Sequence, residues 1–459
     1  MLTAHRVDDI RAAEAAAMAA LPDGELMQRA ARGLADALSD IPAGDVLVVL
    51  AGPGDNGGDA LYAASHLLDR GVRVDIARLD DGRVHEKAWA AALAAGAQVV
   101  DRPTAQPWCL DGMFGIGARP GLLDRAAEWA EWARSSGATT VAVDVPSGVD
   151  VDGGTLPGVH VEADRTVTFG RHKIALLAGP AADAAGEVQL VDIGLDAGSP
   201  ALEAVEDSDA SLLEPALPGA HGHKYTRGVV GVAAGSDHYP GAAHLVVAGA
   251  QAGTAGMVRF SGSEALGARV VDRTPEVVLA AGRVQAWVVG PGGGDEARER
   301  LATALAFGAP MVIDADALDA IPSRLQVPAL LTPHAGELAA MFATDREAVE
   351  ADPLGYAGQA AERWGCTVLL KGPRTIIATS GRPTRVNLSG NAWLGTAGSG
   401  DVLAGFAGSL LASGLSPHDA ASVAAFLHGR AAEVLDGPLT ATDIADTLPL
   451  VLSDFVGDE

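Results

Sequence analysis

From Asp45 onward, short β-branched runs alternate with helix-length stretches, and that alternation restricts the chain to folds in which helices wrap a parallel sheet. DVLVVL, a glycine-rich turn, LYAASHLLDRG, VRVDIARL, a helix near Glu86–Ala95, WCLDGMFG, a helix near Leu122–Ser136 and TTVAVDVPSG follow in order, and RTVTFG and EVQLVDIGL close the series near Leu195. Asp196 to Gly222 contains Pro200, Pro215, Pro218 and several acids but no long periodic segment, which reads as a linker. The alternation then restarts with GVVGVAAGS, a helix from Ala242 to Gly253, MVRFSG, AWVVGPGGG, a helix near Ala297–Phe307, PMVIDADAL, ALLTPHAGEL, CTVLLKG, TIIATSG, PTRVNLSG and two helices after Asp401. A chain of 459 residues exceeds one ordinary core. Two α/β domains are expected, over residues 1–200 and 220–459, with 201–219 as the linker.

Acids outnumber Lys and Arg by 59 to 32, and the formal charge of −27 argues against a nucleic-acid binder held by counterion release. Cys109 and Cys366 are the only cysteines, which rules out a disulfide scaffold and fits a reducing cytoplasm. The N-terminal stretch carries acids inside its apolar region, so an amphipathic helix is expected there and not a secretory signal. No apolar run is long enough to call a membrane span.

In parallel sheets ligands bind beyond the C-terminal ends of strands, and the polar clusters lie there. In the first domain these are Gly52–Asp59, Asp111–Gly121 and Asp144–Gly148. GPGDNGGDA is not a dinucleotide fingerprint, because Asp55, Asn56 and Asp59 interrupt the glycine spacing. It is a nest-like turn whose N–H groups could face a phosphate, with Asn56 able to offer a hard oxygen to a cation. A tight turn without ligand is the alternative.

In the second domain Gly290-Pro291-Gly292, Asp314-Ala315-Asp316, the TPHAGE run (332–337), Leu370-Lys371-Gly372 with Thr375, and the loop Gly398-Ser399-Gly400-Asp401 occupy such ends. The last of these runs straight into an apolar helix. Glycines there let backbone N–H groups approach an anion, and Asp401 could take a hydroxyl proton while the loop holds a transferred phosphoryl group. The competing reading is a helix start capped by Asp.

The second domain, over about Ala220 to Ala432, resembles the ADP-dependent NAD(P)H-hydrate dehydratases of the ribokinase-like superfamily, on HKYTRG, GSDHYPGAAHLVVAGA, DADAL, TPHAGE, LKGPRT and AGSGDVLAG. The resemblance implies a ribokinase-like α/β/α fold and phosphorylation of the C6 hydroxyl of hydrated NADH or NADPH at the expense of ADP, after which phosphate leaves. It implies Asp401 as base, a hydrate pocket lined by Ala242, Gly292, His334 and Asp401, and nucleotide contacts from Lys371, Gly372, Pro373, Arg374, Thr375, Gly398 and Gly400. Mg²⁺ is expected with the nucleotide.

The first domain, over about Leu26 to Leu195, resembles the NAD(P)H-hydrate epimerases, on GPGDNGGDA, DGMFGIGARPG and AVDVPSGVD together with TVTFGRHKIALLAGPAADAAGEVQLVDIGL. That implies a Rossmann-like three-layer α/β/α domain interconverting the R and S hydrates. Asn56, Asp111 and Ser147 would hold K⁺. Asp55, Asn56, Gly57, Gly58, Asp59, Gly115, Ile116, Gly117, Ala118, Arg119, Pro120, Gly121 and Asp144 would bind the hydrate, with Asp144 moving protons at C6. Asp55 stands where this family usually has Asn and adds negative charge near a site that must receive a diphosphate. A homo-oligomer acting on small molecules, without nucleic acid or membrane, completes the expectation. The alternative is a ribokinase-type small-molecule kinase with a non-catalytic nucleotide-binding N-terminal domain.

Overall fold

The computed structural model describes residues 1–80 and 82–457. The chain divides into two compact units, Thr3–Leu202 and Met1–Leu2 with the residues from Glu203 onward.

The first unit is built on seven strands that pair in parallel, in the order Gln98–Val100, Arg73–Arg78, Val46–Ala51, Trp108–Gly112, Thr139–Val143, Arg165–Phe169, Glu187–Val191. The central strand Val46–Ala51 shows why so apolar a run is needed. Leu47, Val49 and Ala51 enter one core with Leu34 and Leu61 from the helices Glu25–Ala37 and Asp55–Asp69, whereas Val48 and Leu50 enter another with Ala126 and Trp129 from the helix Asp124–Ser136. Side chains alternate across a strand, so a sheet covered on both faces needs apolar residues at every position. The strand order reverses between Val46–Ala51 and Trp108–Gly112, and that switch point opens a crevice at their C-terminal ends.

In the second unit the strands run in the order Met257–Phe260, Val229–Ala233, Ala286–Val289, Met311–Ile313, Ala329–Leu331, Thr367–Leu370, Thr375–Thr379, Thr384–Asn387; pairing is parallel through Thr367–Leu370 and antiparallel thereafter. The helix Ser399–Ala412 is buried from Val402 to Ala412, which explains its uninterrupted run of small and apolar residues. It crosses Pro240–Ala252 at glycines. A Cβ on Gly249 would sit 2.1 Å from the Val402 carbonyl oxygen, and one on Gly405 2.1 Å from that of Val246. Only hydrogen fits at either place.

The segment expected to be a linker is structured instead. Asp207–Ala216 forms 3₁₀ turns opened by a reciprocal cap between Glu206 and Asp209, with Leu213 and Ala216 buried in the second unit's core. Proline and acids suggest a loop, but Pro215 lies at the end of a 3₁₀ helix and the acids Glu206 and Asp209 serve as its cap. A further helix, Ala441–Gly457, packs Ile444, Leu448, Val451 and Phe455 into that core. The N-terminal expectation resolves into two helices, Val7–Ala20 and Glu25–Ala37, after a short strand Leu2–His5.

Candidate active sites

A cavity of about 730 Å³ occupies the switch-point crevice of the first unit. Of the residues expected to bind the hydrate, Asp55, Asn56, Asp59, Gly115, Ile116, Gly117, Ala118, Arg119, Gly121 and Asp144 line it. Gly57, Gly58 and Pro120 do not. Gly57 and Gly58 are buried in the first turn of Asp55–Asp69, and a Cβ on Gly57 would lie 2.2 Å from the Gly52 carbonyl oxygen, so this glycine is required by packing.

Asp144 follows the strand Thr139–Val143 with a left-handed backbone, φ 66°, a conformation unusual for a residue with a side chain. Strain of this kind persists where the surroundings over-determine it. Here the Asp144 amide donates to the Val167 carbonyl at 2.8 Å, and its Oδ1 accepts from Thr168 Oγ1 at 3.1 Å, the Phe169 amide at 3.3 Å and the ammonium of Lys173. Lys173 is 1% exposed and donates further to Thr168 Oγ1 at 2.9 Å and the Phe169 carbonyl at 3.0 Å. A buried ammonium with every proton placed holds the Asp144 carboxylate in one orientation. Asp59 is the opposite case. Its Oδ1 is shielded from solvent without a partner, and burial, followed by the charges of Asp144, Asp55 and Glu14, pushes its carboxyl well above the usual range.

Asp111 ends the strand Trp108–Gly112 fully buried. Burial pushes its carboxyl up to about 6 against the pull of hydrogen bonds from the Ser147 amide (2.8 Å), the Ser147 hydroxyl (2.7 Å) and the Met113 amide (3.2 Å). The Ser147 hydroxyl also accepts from the Phe114 amide at 2.9 Å. The Asn56 side-chain amide nitrogen is buried and unpartnered, and its Oδ1 would lie 3.2 Å from a Cβ on Gly115. Carboxylate, hydroxyl and amide oxygen gathered around one loop form a hard-oxygen donor set, which fits an alkali cation. Among the described residues no group of three or more His, Cys, Asp or Glu is arranged to hold a metal.

The N-terminal helix Val7–Ala20 adds Arg11 and Glu14 to the cavity wall. Neither was legible as a site residue, because an amphipathic pattern identifies a helix but not what its polar face meets. Lys173 was missed as well. The available signal was a charge inside the otherwise apolar run HKIALLAG.

In the second unit the helix Ser399–Ala412 starts at Gly398, which serves as N-cap with φ 86°, and Asp401 stands in the first turn. The capping alternative for Asp401 is therefore set aside, since the cap is the glycine. Burial, then the charge of Asp314, pushes the Asp401 carboxyl up to about 7, with Lys371 pulling the other way. Lys371 donates to Asp314 Oδ1 at 2.9 Å and lies 3.8 Å from Glu337 Oε2. Burial alone would lower its pKa, but Asp314, Glu337 and Asp401 outweigh that and raise it. A Cβ on Gly400 would lie 3.4 Å from Lys371 Nζ, so the lysine and the glycine loop adjoin.

His334 bridges to Lys371 through the backbone, while its Nδ1 accepts from the Glu337 amide at 3.0 Å as the cap of Ala335–Phe342. Gly292, φ 57°, packs against Ala242, whose Cβ would be 2.7 Å from a Cβ on the glycine. Gly372, Pro373 and Arg374 form the turn between the antiparallel strands Thr367–Leu370 and Thr375–Thr379. Asp314 and Glu337 lie inside DADAL and TPHAGE, where the sequence gives neither a role of its own. His428 carried no sequence signal. It is 6% exposed, its Nε2 lies 3.0 Å from the Ser399 carbonyl, and burial lowers its pKa to about 4, so a neutral ring supports the start of the Asp401 helix.

Comparison with known proteins matches a family to each unit. The family described as YjeF-related protein N-terminus matches residues 23–175, and NAD(P)H-hydrate dehydratase matches residues 230–450. Among solved structures, the ADP/ATP-dependent NAD(P)H-hydrate dehydratase of Bacillus subtilis co-crystallised with ATP/Mg²⁺ aligns with a TM-score of 0.50 at 28% identity, covering 54% of this chain and 97% of that one. A ribokinase-like superfamily protein of Enterococcus faecalis shares the fold, with a TM-score of 0.50 at 22% identity over 56% of this chain and 98% of its own. The bifunctional NAD(P)H-hydrate repair enzyme Nnr of Mycobacterium leprae is 43% identical over 450 residues, 93% of each chain, and that of Mycobacterium tuberculosis 44% over 441 residues, 91% of each. The Escherichia coli enzyme of that name is 31% identical over 507 aligned residues, 98% of this chain and 94% of its own. With both domains matched and end-to-end similarity at these identities, the chain belongs to the family of bifunctional NAD(P)H-hydrate repair enzymes.

Proposed function

We propose that this chain repairs hydrated NADH and NADPH, the first unit epimerising the R and S hydrates and the second dehydrating the S hydrate with ADP as phosphoryl donor. The observation that carries the reading is Asp401, a carboxyl poised near neutrality in the first turn of a glycine-capped helix. In its ionised form Asp401 takes the proton of the C6 hydroxyl, whose oxygen attacks the β-phosphorus of ADP as AMP leaves. The Gly398 and Gly400 N–H groups hold the charge on the moving phosphoryl group. The C6–O bond then breaks, phosphate departs with the bonding pair, and loss of a C5 proton restores the dihydronicotinamide. Lys371 and the turn through Gly372, Pro373, Arg374 and Thr375 face the nucleotide, and Ala242, Gly292 and His334 the hydrate. Mg²⁺ would shield the phosphates, bound through them and not by a carboxylate cage.

In the first unit Asp144, held in one orientation by the Lys173 ammonium, moves protons at C6 while Asp55, Asn56, Asp59 and the 115–121 loop receive the hydrate. Asn56, Asp111 and Ser147 would hold K⁺, which supplies positive charge beside an acidic wall. The same reading puts a homo-oligomer in the cytoplasm, and light scattering of the purified protein tests its assembly.

The experiment follows the return of reduced-nicotinamide absorbance when purified protein, Mg²⁺ and K⁺ meet a mixed R/S hydrate of NADH, with ADP and ATP supplied separately. Complete recovery with ADP is expected. Recovery that stops at the S fraction removes the epimerase assignment. No recovery with either nucleotide returns the chain to the small-molecule kinases.

A further inference from the structure

The cavity of the first unit carries more negative charge than Arg119 of its motif loop, with K⁺ at Asn56, Asp111 and Ser147, would offset. Glu14, Asp55, Asp59, Asp124 and Asp144 all line it, and Lys173 is turned away, with its protons given to Asp144, Thr168 and the Phe169 carbonyl. A hydrated dinucleotide brings a diphosphate with two more negative charges. Five carboxyl groups and a diphosphate in one cavity repel one another unless a cation stands between them.

The cations that line the cavity are Arg11 and Arg119. Arg119 belongs to the 115–121 loop. Arg11 comes from the helix Val7–Ala20, ahead of the matched family region that begins at residue 23. Its guanidinium reaches across to that loop, with Nη2 2.8 Å from where a Cβ on Gly117 would be, so the absence of a side chain at Gly117 leaves it room. Among the described residues Arg11 has no hydrogen-bond or ion-pair partner within contact distance. Its neighbour one turn along, Glu14, interacts with it only through space. A solvated guanidinium at the mouth of an acidic cavity, with its donors free, matches the planar geometry of phosphate oxygens.

We infer that Arg11 is the diphosphate-binding residue of the first site, gripping the substrate from the N-terminal helix against the 115–121 loop. This rests on the epimerase reading above. Arg11 acts on binding, since a group fixed to the diphosphate stays bound to it while C6 is inverted.

The test uses the full-length protein without nucleotide, so that the dehydratase is silent, and follows the approach of pure S hydrate to the R/S equilibrium by chromatography. Arg11→Gln is expected to raise the KM for epimerisation about tenfold, with kcat falling far less than KM rises, and to flatten the rise of KM with ionic strength. Arg11→Lys should recover part of the loss, because a point charge replaces a fork. A circular-dichroism spectrum and melting curve matching wild type report that the variant's first unit is folded. An unchanged KM and salt dependence in Arg11→Gln overturns the inference while leaving the epimerase reading standing, as does a fall in kcat at constant KM. A wild-type protein that dehydrates the S hydrate but never equilibrates R and S removes the epimerase reading and this inference together.

Discussion

Asp401 and Asp144 illustrate two ways in which a fold equips a carboxyl group. Asp401 is desolvated beside Asp314, and a carboxyl raised to about 7 suits the role of base proposed for it at neutral pH. Below that value it carries a proton and cannot accept another, so kcat/KM for dehydration should rise with pH through about 7, checked by rates on S hydrate at saturating ADP. Asp401→Asn should lower turnover by about 100-fold or more. Stability should move the other way. A carboxyl whose folded pKa exceeds its unfolded value favours the folded state at low pH and loses that contribution as pH rises through the folded value. At pH 8 Asp401→Asn should therefore melt higher than wild type, by about 2–4 °C for each kcal/mol recovered, as calorimetry would show. Asp144 instead depends on a buried ammonium. Lys173→Met leaves that carboxylate uncompensated, which should cost about 3–5 kcal/mol in denaturant unfolding and abolish epimerisation, whereas the alternative of a merely structural Asp144 predicts the stability loss alone. Both aspartates were legible as residues at strand or loop ends. Lys173 and Asp314, their charge partners, were not assigned, because a partner through space leaves no spacing in the sequence.

Among the elements, the crossing of Ser399–Ala412 over Pro240–Ala252 sets the second site, since one helix begins at Gly398 and the other passes Ala242. Gly249 and Gly405 bring the two backbones together. Gly249→Val places two methyls against the Val402 carbonyl and should cost more than the 1–3 kcal/mol of ordinary overpacking, with loss of dehydratase activity. Gly358 provides the contrast. It lies on the exposed face of the helix Pro353–Trp364 with nothing within 4 Å of an added Cβ, so Gly358→Ala should stabilise by about 0.5–1 kcal/mol without touching activity. Most strands and helices were readable from apolar runs, and the helices Glu86–Ala95 and Ala297–Phe307 from their periodicity. The turns Asp207–Ala216 were not, because acids and proline look alike in a loop and in a capped 3₁₀ helix.

For the whole molecule the two activities should separate cleanly. With a mixed hydrate and ADP, wild type should convert all of it. Asp144→Asn should stop near the S fraction plus slow spontaneous epimerisation, and Asp401→Asn should regenerate none while still equilibrating R and S. The time course of reduced-nicotinamide absorbance distinguishes the three; full conversion by Asp144→Asn would show that Asp144 is not required. By itself the sequence determined that there are two α/β units, which strand ends carry glycine-rich polar clusters, and which family each half resembles. Those properties are local, since apolar periodicity and glycine-rich strand ends are written in consecutive residues. Tertiary structure alone decided that Arg11 and Glu14 from the first helix meet loops from Asp55, Gly115 and Asp144, that Gly57 and Gly58 serve packing while Asp59 faces the cavity, and that Asp314, Glu337 and Lys371 surround Asp401. Burial and charge pairing depend on distances across the fold, and a sequence fixes those distances only once the chain has folded.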